Sequence, residues 1–357
     1  PGRVNLIGEH TDYNDGLVLP IAIDRGLRLA VRRRTDRLVV LRSDREPGTT
    51  VTLDLAGPLR PGRRGWAAYP EGVLAGYAAR GWRIPGFEAV VSGDLPAGAG
   101  LSSSAALEVA TATAIETLCD RGLPAVEKAL LCQRAEHEFA GVPCGIMDQF
   151  AVVMARAGHA LLLDCRSLQM RHVPLDPAAV RVLVVNSGVR HALAGGGYAA
   201  RRAECRSAAA LLGCGSLREV TPEIWRARAA DLPAVERRRA AHVLAENDRT
   251  LGFVAALERA DWATAGRLMR ESHASLAADF EVSCPEIDRL VAIASTAPGV
   301  HGCRMTGAGF GGCVVALVAA ARTDEAMEAI DRGCRAATGR AAESFVTAAA
   351  GGTAGPA

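Results

Sequence analysis

The stretch DLPAGAGLSSSAALEVATA, residues 94–112, combines three local signals in one run. A segment that alternates like a strand ends at Pro96, glycines follow at positions 98 and 100, and three serines then lead into an alanine-rich run. Glycine adopts backbone conformations that other residues avoid, which suits a tight turn. The stretch therefore predicts a strand, a glycine turn and a helix that begins near Ser103.

This turn has two interpretations. It is either a capped helix after a tight turn, or an anion site in which the unpaired amides and the dipole of the helix N-terminus bind phosphate. In the second case the serine hydroxyls also reach phosphate oxygens or a magnesium ion. The Walker pattern GxxxxGK[ST] is absent, because Lys128 is the only lysine of the chain and lies outside the turn.

Size and composition narrow the class of protein. The 357 residues suggest about two domains, and the 49% of hydrophobic residues are ample for real cores. The net charge of +2 gives no basic field, and no apolar run approaches the ~20 residues that span a bilayer, so we expect no nucleic acid and no membrane partner. The ten cysteines form no CxxC pair, which favours free thiols in the cytoplasm. Because residue 1 is proline, we expect a short N-terminal piece before it.

The predicted elements indicate a mixed α+β fold with two domains. Residues 27–34 and 38–43 are typical of a hairpin, and residues 348–357 are typical of a frayed tail. A strand-rich first half changes to a helix-rich second half near residue 182, which places the domains at 1–182 and 183–357. Further strands are predicted at 50–55, 87–96, 159–165, 180–188 and 312–318. Helices are predicted at 103–119, 124–139, 198–213, 235–259, 261–279 and 324–338.

The first sixteen residues, PGRVNLIGEHTDYNDG, mix apolar and charged side chains. The polar members are Arg3, Glu9, His10, Asp12, Asn14 and Asp15. A solvated loop has this composition, but the apolar residues among them also suit a strand that leaves a core and enters a polar pocket. Clustered carboxylates and a histidine suit a ligand with many hydroxyls, such as a sugar, because each carboxylate accepts from neighbouring hydroxyls.

Two later segments carry further candidate residues. Asp148 lies in the otherwise apolar segment 135–155, where it either caps a helix or acts as a carboxylate base or substrate anchor. Glu136, in the same segment, is either a surface residue or within reach of a metal. The glycine-rich residues 302–318, GCRMTGAGFGGCVVALV, form either a hairpin turn or a place where the backbone approaches a ligand.

Four segments resemble the galactokinase family of the GHMP kinase superfamily, in order and over residues 1 to about 350. GRVNLIGEHTDYNDGLVLP at 2–20 resembles the galactokinase signature, and LPAGAGLSSSAALEVA at 95–110 resembles the phosphate-binding second motif. GCRMTGAGFGGCVVAL at 302–317 resembles the third motif, and VRHALAGGGYAARRAEC at 189–205 resembles a further galactokinase segment. The resemblance implies an N-terminal domain like ribosomal protein S5 and a C-terminal ferredoxin-like α/β sandwich. It also implies that phosphate passes from ATP to the C1 hydroxyl of D-galactose in the cleft between them, with Mg²⁺ assisting.

The same resemblance implies roles residue by residue. The implied catalytic pair is Arg3 and Asp148, with Asp148 as the base. The implied sugar contacts are Glu9, His10, Asp12, Gly145 and Tyr198. The implied ATP contacts are Trp66 with Tyr69 at the adenine, and the loop residues Gly98, Gly100, Leu101, Ser102, Ser103 and Ser104. The implied magnesium ligands are Ser104 and Glu136, and Ala308 replaces a glycine that other members carry.

Other functions compete with a galactokinase. One is a kinase of a related sugar, such as N-acetylgalactosamine or L-arabinose. Another is a non-catalytic galactose sensor, but such proteins lack part of the serine–alanine run, which is complete here as SSSAA. A serine hydrolase is excluded because the GxSxG context is absent. We expect the protein to act as a monomer.

Overall fold

The computed structural model describes residues 1–62, 65–96, 99–190 and 194–353, and the architecture is a mixed α+β fold. In these residues the strands are β1 (Arg3–Asn5), β2 (Leu17–Val18), β3 (Pro20–Ala22), β4 (Leu27–Arg33), β5 (Leu38–Ser43), β6 (Thr50–Asp54), β7 (Phe87–Gly93), β8 (His159–Asp164), β9 (Met170–Pro174), β10 (Val180–Arg190), β11 (Val300–Thr306), β12 (Gly311–Ala319) and β13 (Glu343–Thr347). The helices are α1 (Ala68–Ala79), α2 (Ser103–Cys119), α3 (Ala125–Ala135), α4 (Met147–Met154), α5 (Ala194–Leu211), α6 (Pro222–Arg228), α7 (Ala234–Glu258), α8 (Trp262–Ala278), α9 (Pro285–Ser295) and α10 (Thr323–Thr338).

The predicted hairpin at 27–43 is wrong. Strand β7 lies between β4 and β5, antiparallel to the first and parallel to the second, and β5 forms its hairpin with β6 instead. Phe87 and Ala89 of β7 are buried on one face, against the core beneath α1, α2 and α3. The central position of β7 buries Phe87 and Ala89. The residues 27–43 contain no local signal that would predict this position.

The sheet of the second half has the order β11–β12–β10–β13 and is antiparallel. Alternate residues of β10 enter different cores: Val182 and Val184 face one, and Leu183 and Val185 face the other. Because both faces are buried, the sequence of this strand is almost continuously apolar rather than alternating. One of these cores also contains Val4 and Ile21 from the start of the chain, so the two halves share apolar contacts.

Most of the predicted helices are confirmed, but α1, α4, α6 and α9 were not predicted. Helix α1 contains Gly72 and Gly76, which are poor helix formers. A β-carbon at Gly72 would lie 2.9 Å from that of Ala135, and one at Gly76 would lie 2.9 Å from Leu131 Cγ. The glycines therefore allow α1 to pack closely on α3, and this packing outweighs their low helix propensity.

The predicted frayed tail is wrong for the residues that the structure describes, which end at 353. The amide of Ala350 donates to Ala22 O at 2.9 Å, and that of Gly352 donates to Ala155 O at 2.7 Å. The tail thus packs against the first half of the chain. The proposed boundary between 1–182 and 183–357 falls inside β10 and stays a prediction. Within the described ranges, no helix has the length and apolar character needed to cross a membrane.

Candidate active site

A cavity of about 270 Å³ lies where residues from both halves of the chain meet. Its wall contains both predicted catalytic residues and all five predicted sugar contacts, namely Arg3, Asp148, Glu9, His10, Asp12, Gly145 and Tyr198. Gly307 and Ala308 of the second glycine-rich loop complete one side. The volume is just below the lower end of small-molecule sites, roughly 300 Å³, which suits a single small polar ligand.

Arg3 and Asp148 form a bidentate ion pair in this wall. Arg3 Nε donates to Asp148 Oδ1 at 2.7 Å, and Nη2 donates to Oδ2 at 2.9 Å. The third nitrogen of the guanidinium, Nη1, donates to Gly100 O at 2.6 Å, which joins the pair to the glycine turn. The helix-cap interpretation of Asp148 is wrong, because the residue before α4 is Ile146 and Asp148 bonds to Arg3 instead.

Ser102 also contacts Asp148. Its hydroxyl donates to Asp148 Oδ2, and its backbone is in the left-handed region with φ of 58°. Its side chain makes no cap hydrogen bond to α2, which begins at Ser103. The interpretation of this turn as an ordinary capped helix is therefore wrong for Ser102, whose hydroxyl supports the carboxylate of Asp148.

A second cavity of about 170 Å³ contains the residues predicted to bind the nucleotide. Ser103 and Ser104 of α2 face Trp66 and Tyr69 across it. Trp66 Nε1 donates to Glu46 Oε2 at 3.1 Å, which orients the indole. Leu101 is buried and its carbonyl accepts from Arg3 N at 3.2 Å, whereas Gly98 lies outside the described residues.

The two cavities adjoin at Ser104 and Glu136. Glu136 lines the first cavity, Ser104 lines the second, and the serine hydroxyl is hydrogen-bonded to the glutamate. Glu136 is only 5% exposed, so its interpretation as a surface residue is wrong. Burial, followed by the charge of Asp148, raises the pKa of Glu136 to about 7. A carboxylate in this environment favours a nearby cation.

The residues that are predicted to bind sugar differ in their charge. Glu9 and Arg304 form a buried ion pair with 2.9 Å between Glu9 Oε2 and Arg304 Nη2. Burial, and then the charges of His242 and Arg304, lowers the pKa of His10 to about 3, so its imidazole is neutral near pH 7. Burial, and then the charges of Asp148 and Glu9, raises the pKa of Asp12 to about 7.

Gly145 fits this wall because it lacks a side chain. A β-carbon there would lie 1.8 Å from Asp12 Oδ2. Its amide donates to Tyr198 Oη at 3.3 Å. Gly145 therefore brings Asp12 and Tyr198 together.

The second glycine-rich loop packs on the first. It is the turn between β11 and β12, as the hairpin interpretation predicts, and it also makes a close approach to other backbone. A β-carbon at Gly307 would lie 3.0 Å from Gly100 O, and one at Gly312 would lie 3.2 Å from Ala99 O. Ala308 does not have a positive φ, which explains why alanine fits at this position.

Comparison with known proteins identifies the family. The family profile for the galactokinase galactose-binding signature matches residues 1–33, and the profiles for the GHMP kinases N terminal domain and C terminal match residues 68–156 and 253–337. Human galactokinase is 51% identical over 338 residues, which cover 92% of this chain and 85% of the human protein. The chain belongs to the galactokinase family of GHMP kinases.

Further relatives support this family and its fold. Galactokinase of Roseiflexus sp. is 46% identical over 99% of this chain and 90% of its own length. The crystal structure of Lactococcus lactis galactokinase complexed with galactose superposes with a TM-score of 0.94, at 34% identity, over 99% of this chain and 92% of that one. A Methanococcus jannaschii mevalonate kinase, at 18% identity and a TM-score of 0.71 over 98% of this chain and 96% of that one, shares the fold.

The structure of this galactokinase-family chain adds residues that the sequence did not single out. Gln149 Nε2 donates to Glu136 Oε2 at 2.8 Å and to Glu108 Oε2 at 3.0 Å, so one buried amide joins two buried carboxylates. Arg304, which lies in the second half of the chain, forms an ion pair with Glu9. Gln149 is adjacent to Asp148 in sequence, and Arg304 is a charge within a strand-like motif. These sequence positions could have indicated that both residues lie near the site, but they do not indicate which side chains the two residues contact.

Proposed function

We propose that the protein is a galactokinase that transfers the terminal phosphoryl group of ATP to the C1 hydroxyl of D-galactose, giving ADP and galactose 1-phosphate. The family membership supports the reaction. The observation that carries the proposal is the bidentate Arg3–Asp148 pair in the wall of the first cavity, next to the cavity that contains Ser103 and Ser104. A sugar in the first cavity and a nucleotide in the second would meet at this pair.

Phosphoryl transfer requires mainly positioning and charge stabilisation. Asp148 accepts the proton of the C1 hydroxyl or orients that hydroxyl, and Arg3 holds the carboxylate in place and stabilises negative charge that develops on the oxygen. A phosphate-binding lysine takes no part, because Lys128 pairs with Glu116 at 2.5 Å. Amides at the N-terminus of α2, which begins at Ser103, then meet the phosphate charge.

Galactose is recognised by groups with different hydrogen-bonding capacity. Glu9 and Asp12 accept from hydroxyls when they are ionised, whereas neutral His10 both donates and accepts. Tyr198 adds a hydroxyl that accepts from the amide of Gly145 at 3.3 Å. A sugar with many hydroxyls matches this mixture of donors and acceptors.

Ser104 and Glu136 fit a magnesium ion that is bound mainly through nucleotide phosphates. Mg²⁺ is commonly held by one or two carboxylates together with substrate oxygens. Within the described part of the chain, no group of three or more histidine, cysteine, aspartate or glutamate residues is arranged to hold a metal by itself. The ion would neutralise charge on the β- and γ-phosphates.

A panel of sugars tests the proposal and its alternatives. ADP release is measured with galactose, N-acetylgalactosamine, L-arabinose and glucose as acceptors. We expect the highest kcat/KM with galactose. Faster turnover of N-acetylgalactosamine or L-arabinose would assign the related-sugar kinase instead, and galactose binding without ADP release would assign the sensor.

We also propose that the protein acts as a monomer in the reducing cytoplasm, without nucleic acid. All ten cysteines are free, which suits a reducing compartment. Light scattering coupled to gel filtration measures the oligomeric state directly.

A further inference from the structure

The sugar-facing loop, residues 8–16, is held at both ends by helix α7. At its start, the amides of Gly8 and Glu9 donate to Glu246 Oε1 at 3.0 and 3.1 Å. At its end, the amide of Leu17 donates to Asn247 Oδ1 at 2.8 Å. Two neighbouring residues of α7 therefore fix the loop that carries Glu9, His10 and Asp12.

Glu246 is completely buried and fully engaged. Besides the two loop amides, its Oε1 accepts from Ser272 Oγ at 2.7 Å, and its Oε2 accepts from Arg249 Nε at 2.7 Å. All of these groups are donors, so the ionised carboxylate satisfies them. A buried charge with this many partners is costly to disturb, because any loss leaves polar groups unpaired.

The loop backbone needs such external support. Gly8 has φ of 88°, and His10 has φ of 63°, which is an uncommon conformation for a residue with a side chain. Gly8 is also confined, because a β-carbon there would lie 2.4 Å from Leu17 O. The two positive φ values lie on either side of Glu9 and set the directions of Glu9 and His10 into the cavity.

Helix α7 also binds the next peptide group. His242 Nε2 lies 3.1 Å from Glu9 O, and since a carbonyl only accepts, the proton of the neutral imidazole is on Nε2. His242 Nδ1 lies 2.9 Å from Ser275 Oγ, which is also 2.8 Å from Asp279 Oδ2. The amide and the carbonyl of Glu9 are thus both held from the second half of the chain.

We propose that Glu246 is a positioning residue that sets the affinity for galactose without contacting the sugar. The inference rests on the proposed function of the same cavity. Glu246 does not line the cavity; it holds the peptide groups whose side chains do. Loss of its contacts releases the loop, which weakens galactose binding and leaves the nucleotide cavity unchanged.

Steady-state kinetics of Glu246→Gln and Glu246→Ala test this role. Glutamine keeps an acceptor but loses the charge, so we expect KM for galactose to rise about 3- to 10-fold; alanine removes the acceptor, and we expect a rise above 20-fold. KM for ATP stays within twofold in both. The graded response, with partial rescue by glutamine, would distinguish loop positioning from a general loss of folded enzyme, which lowers the apparent kcat without changing KM.

Leu276→Ala is the matched control. Leu276 is fully buried in α8 and belongs to the core around β12, so its truncation destabilises the fold without removing a bond to the loop. The inference is wrong if Glu246→Gln leaves KM for galactose within twofold of the wild-type value, or if Leu276→Ala raises it as much. If Glu246→Ala does not fold, KM for galactose in Glu246→Gln tests the inference. An unaltered protein that does not phosphorylate galactose would overturn the proposed function instead.

Discussion

Asp148 and Asp12 are two carboxylates on the same cavity with different partners. Asp148 accepts two bonds from the Arg3 guanidinium and one from the Ser102 hydroxyl. Asp12 accepts from the backbone amide of Tyr13 at 3.0 Å and has a raised pKa. Paired titratable groups in unequal environments commonly divide chemical roles. This difference favours the proposed roles, in which Asp148 contacts the reacting hydroxyl and Asp12 binds the sugar.

Replacement of Asp148 tests its catalytic role. Asp148→Asn keeps the shape but removes the charge that accepts the proton, so we expect kcat to fall by about 10²- to 10⁴-fold. Nucleotide binding stays within a few-fold. The control is Asp164→Asn, which removes the partner of Arg218, an ion pair of 2.9 Å outside the cavity. A kcat of Asp148→Asn within tenfold of the wild-type value would remove this residue from the chemistry.

The raised pKa of Asp12 predicts how galactose binding depends on pH. Since this pKa is about 7, the carboxyl is protonated below pH 7 and ionised above it. KM for galactose is therefore expected to rise about tenfold as the pH falls from 8 to 6. In Asp12→Asn, KM should be high and independent of pH in this range. A wild-type KM that is flat between pH 6 and 8 would contradict this assignment.

Stability gives an independent measurement of the same group. The folded-state pKa of Asp12 is raised from 3.8 to about 7, so the folded state binds its proton more tightly than the unfolded state does. The contribution of Asp12 to stability thus falls as the pH rises from about 4 to 7. The gain in Tm of Asp12→Asn over wild type should be larger at pH 8 than at pH 5, as measured by thermal unfolding.

At the scale of elements, the site is formed where loops meet the first turns of helices. The glycine turn precedes α2, and the loop with Gly145 precedes α4, whose second residue is Asp148. The π-helical turn Glu136–Ala140 follows α3 and begins with the candidate metal ligand. The N-termini of helices provide free amide groups, and the short loops before them determine the distances between the side chains of the site.

Gly145→Ala tests this loop. The added methyl group displaces the end of the Asp12 side chain, which is flexible, so the cost in stability is small. The displaced carboxylate is the one that we propose binds the sugar. We expect KM for galactose to rise at least tenfold with Tm nearly unchanged. Gly196→Ala is the control. Gly196 lies in α5, where an added β-carbon would have no atom within 4 Å apart from its own helix backbone, and alanine favours the helix. Equal KM values for the two variants would show that Gly145 has no such role.

At the scale of the molecule, the two halves of the chain are joined through a shared core and through the docked tail. Val4 and Ile21 lie in one core with Val182, Phe253 and Leu317. After β13 the chain returns to the first half, where Gly158 N also donates to Ala349 O at 2.8 Å. The Arg3–Asp148 pair lines a cavity whose wall also contains Tyr198 and Gly307, so its surroundings depend on both halves.

Truncation after Thr347 tests the tail. It removes four backbone hydrogen bonds, made by Gly158 to Ala349 and by Ala350, Gly352 and Thr353 to the first half. At about 0.5–1.5 kcal/mol each, we expect the free energy of unfolding to fall by about 2–6 kcal/mol. The unaltered chain is the control. If the truncated and the unaltered chains unfold at the same temperature, the docking does not contribute to stability.

The sequence by itself determined the family, the mixed fold, most of the helices and many of the polar residues that line the cavity. This was possible because those properties depend on local patterns: glycine turns, apolar periodicity and ordered motifs. Arg3 and Asp148, 145 positions apart, were both identified from their own motifs.

Only the tertiary structure decided which of these residues touch. It placed β7 between β4 and β5, directed the hydroxyl of Ser102 to Asp148, docked the tail and joined Glu246 to the sugar-facing loop. The physical reason is that burial selects such partners. A buried donor or carboxylate must be satisfied by whatever group the packed chain brings within about 3 Å, and the sequence near either residue does not specify that group.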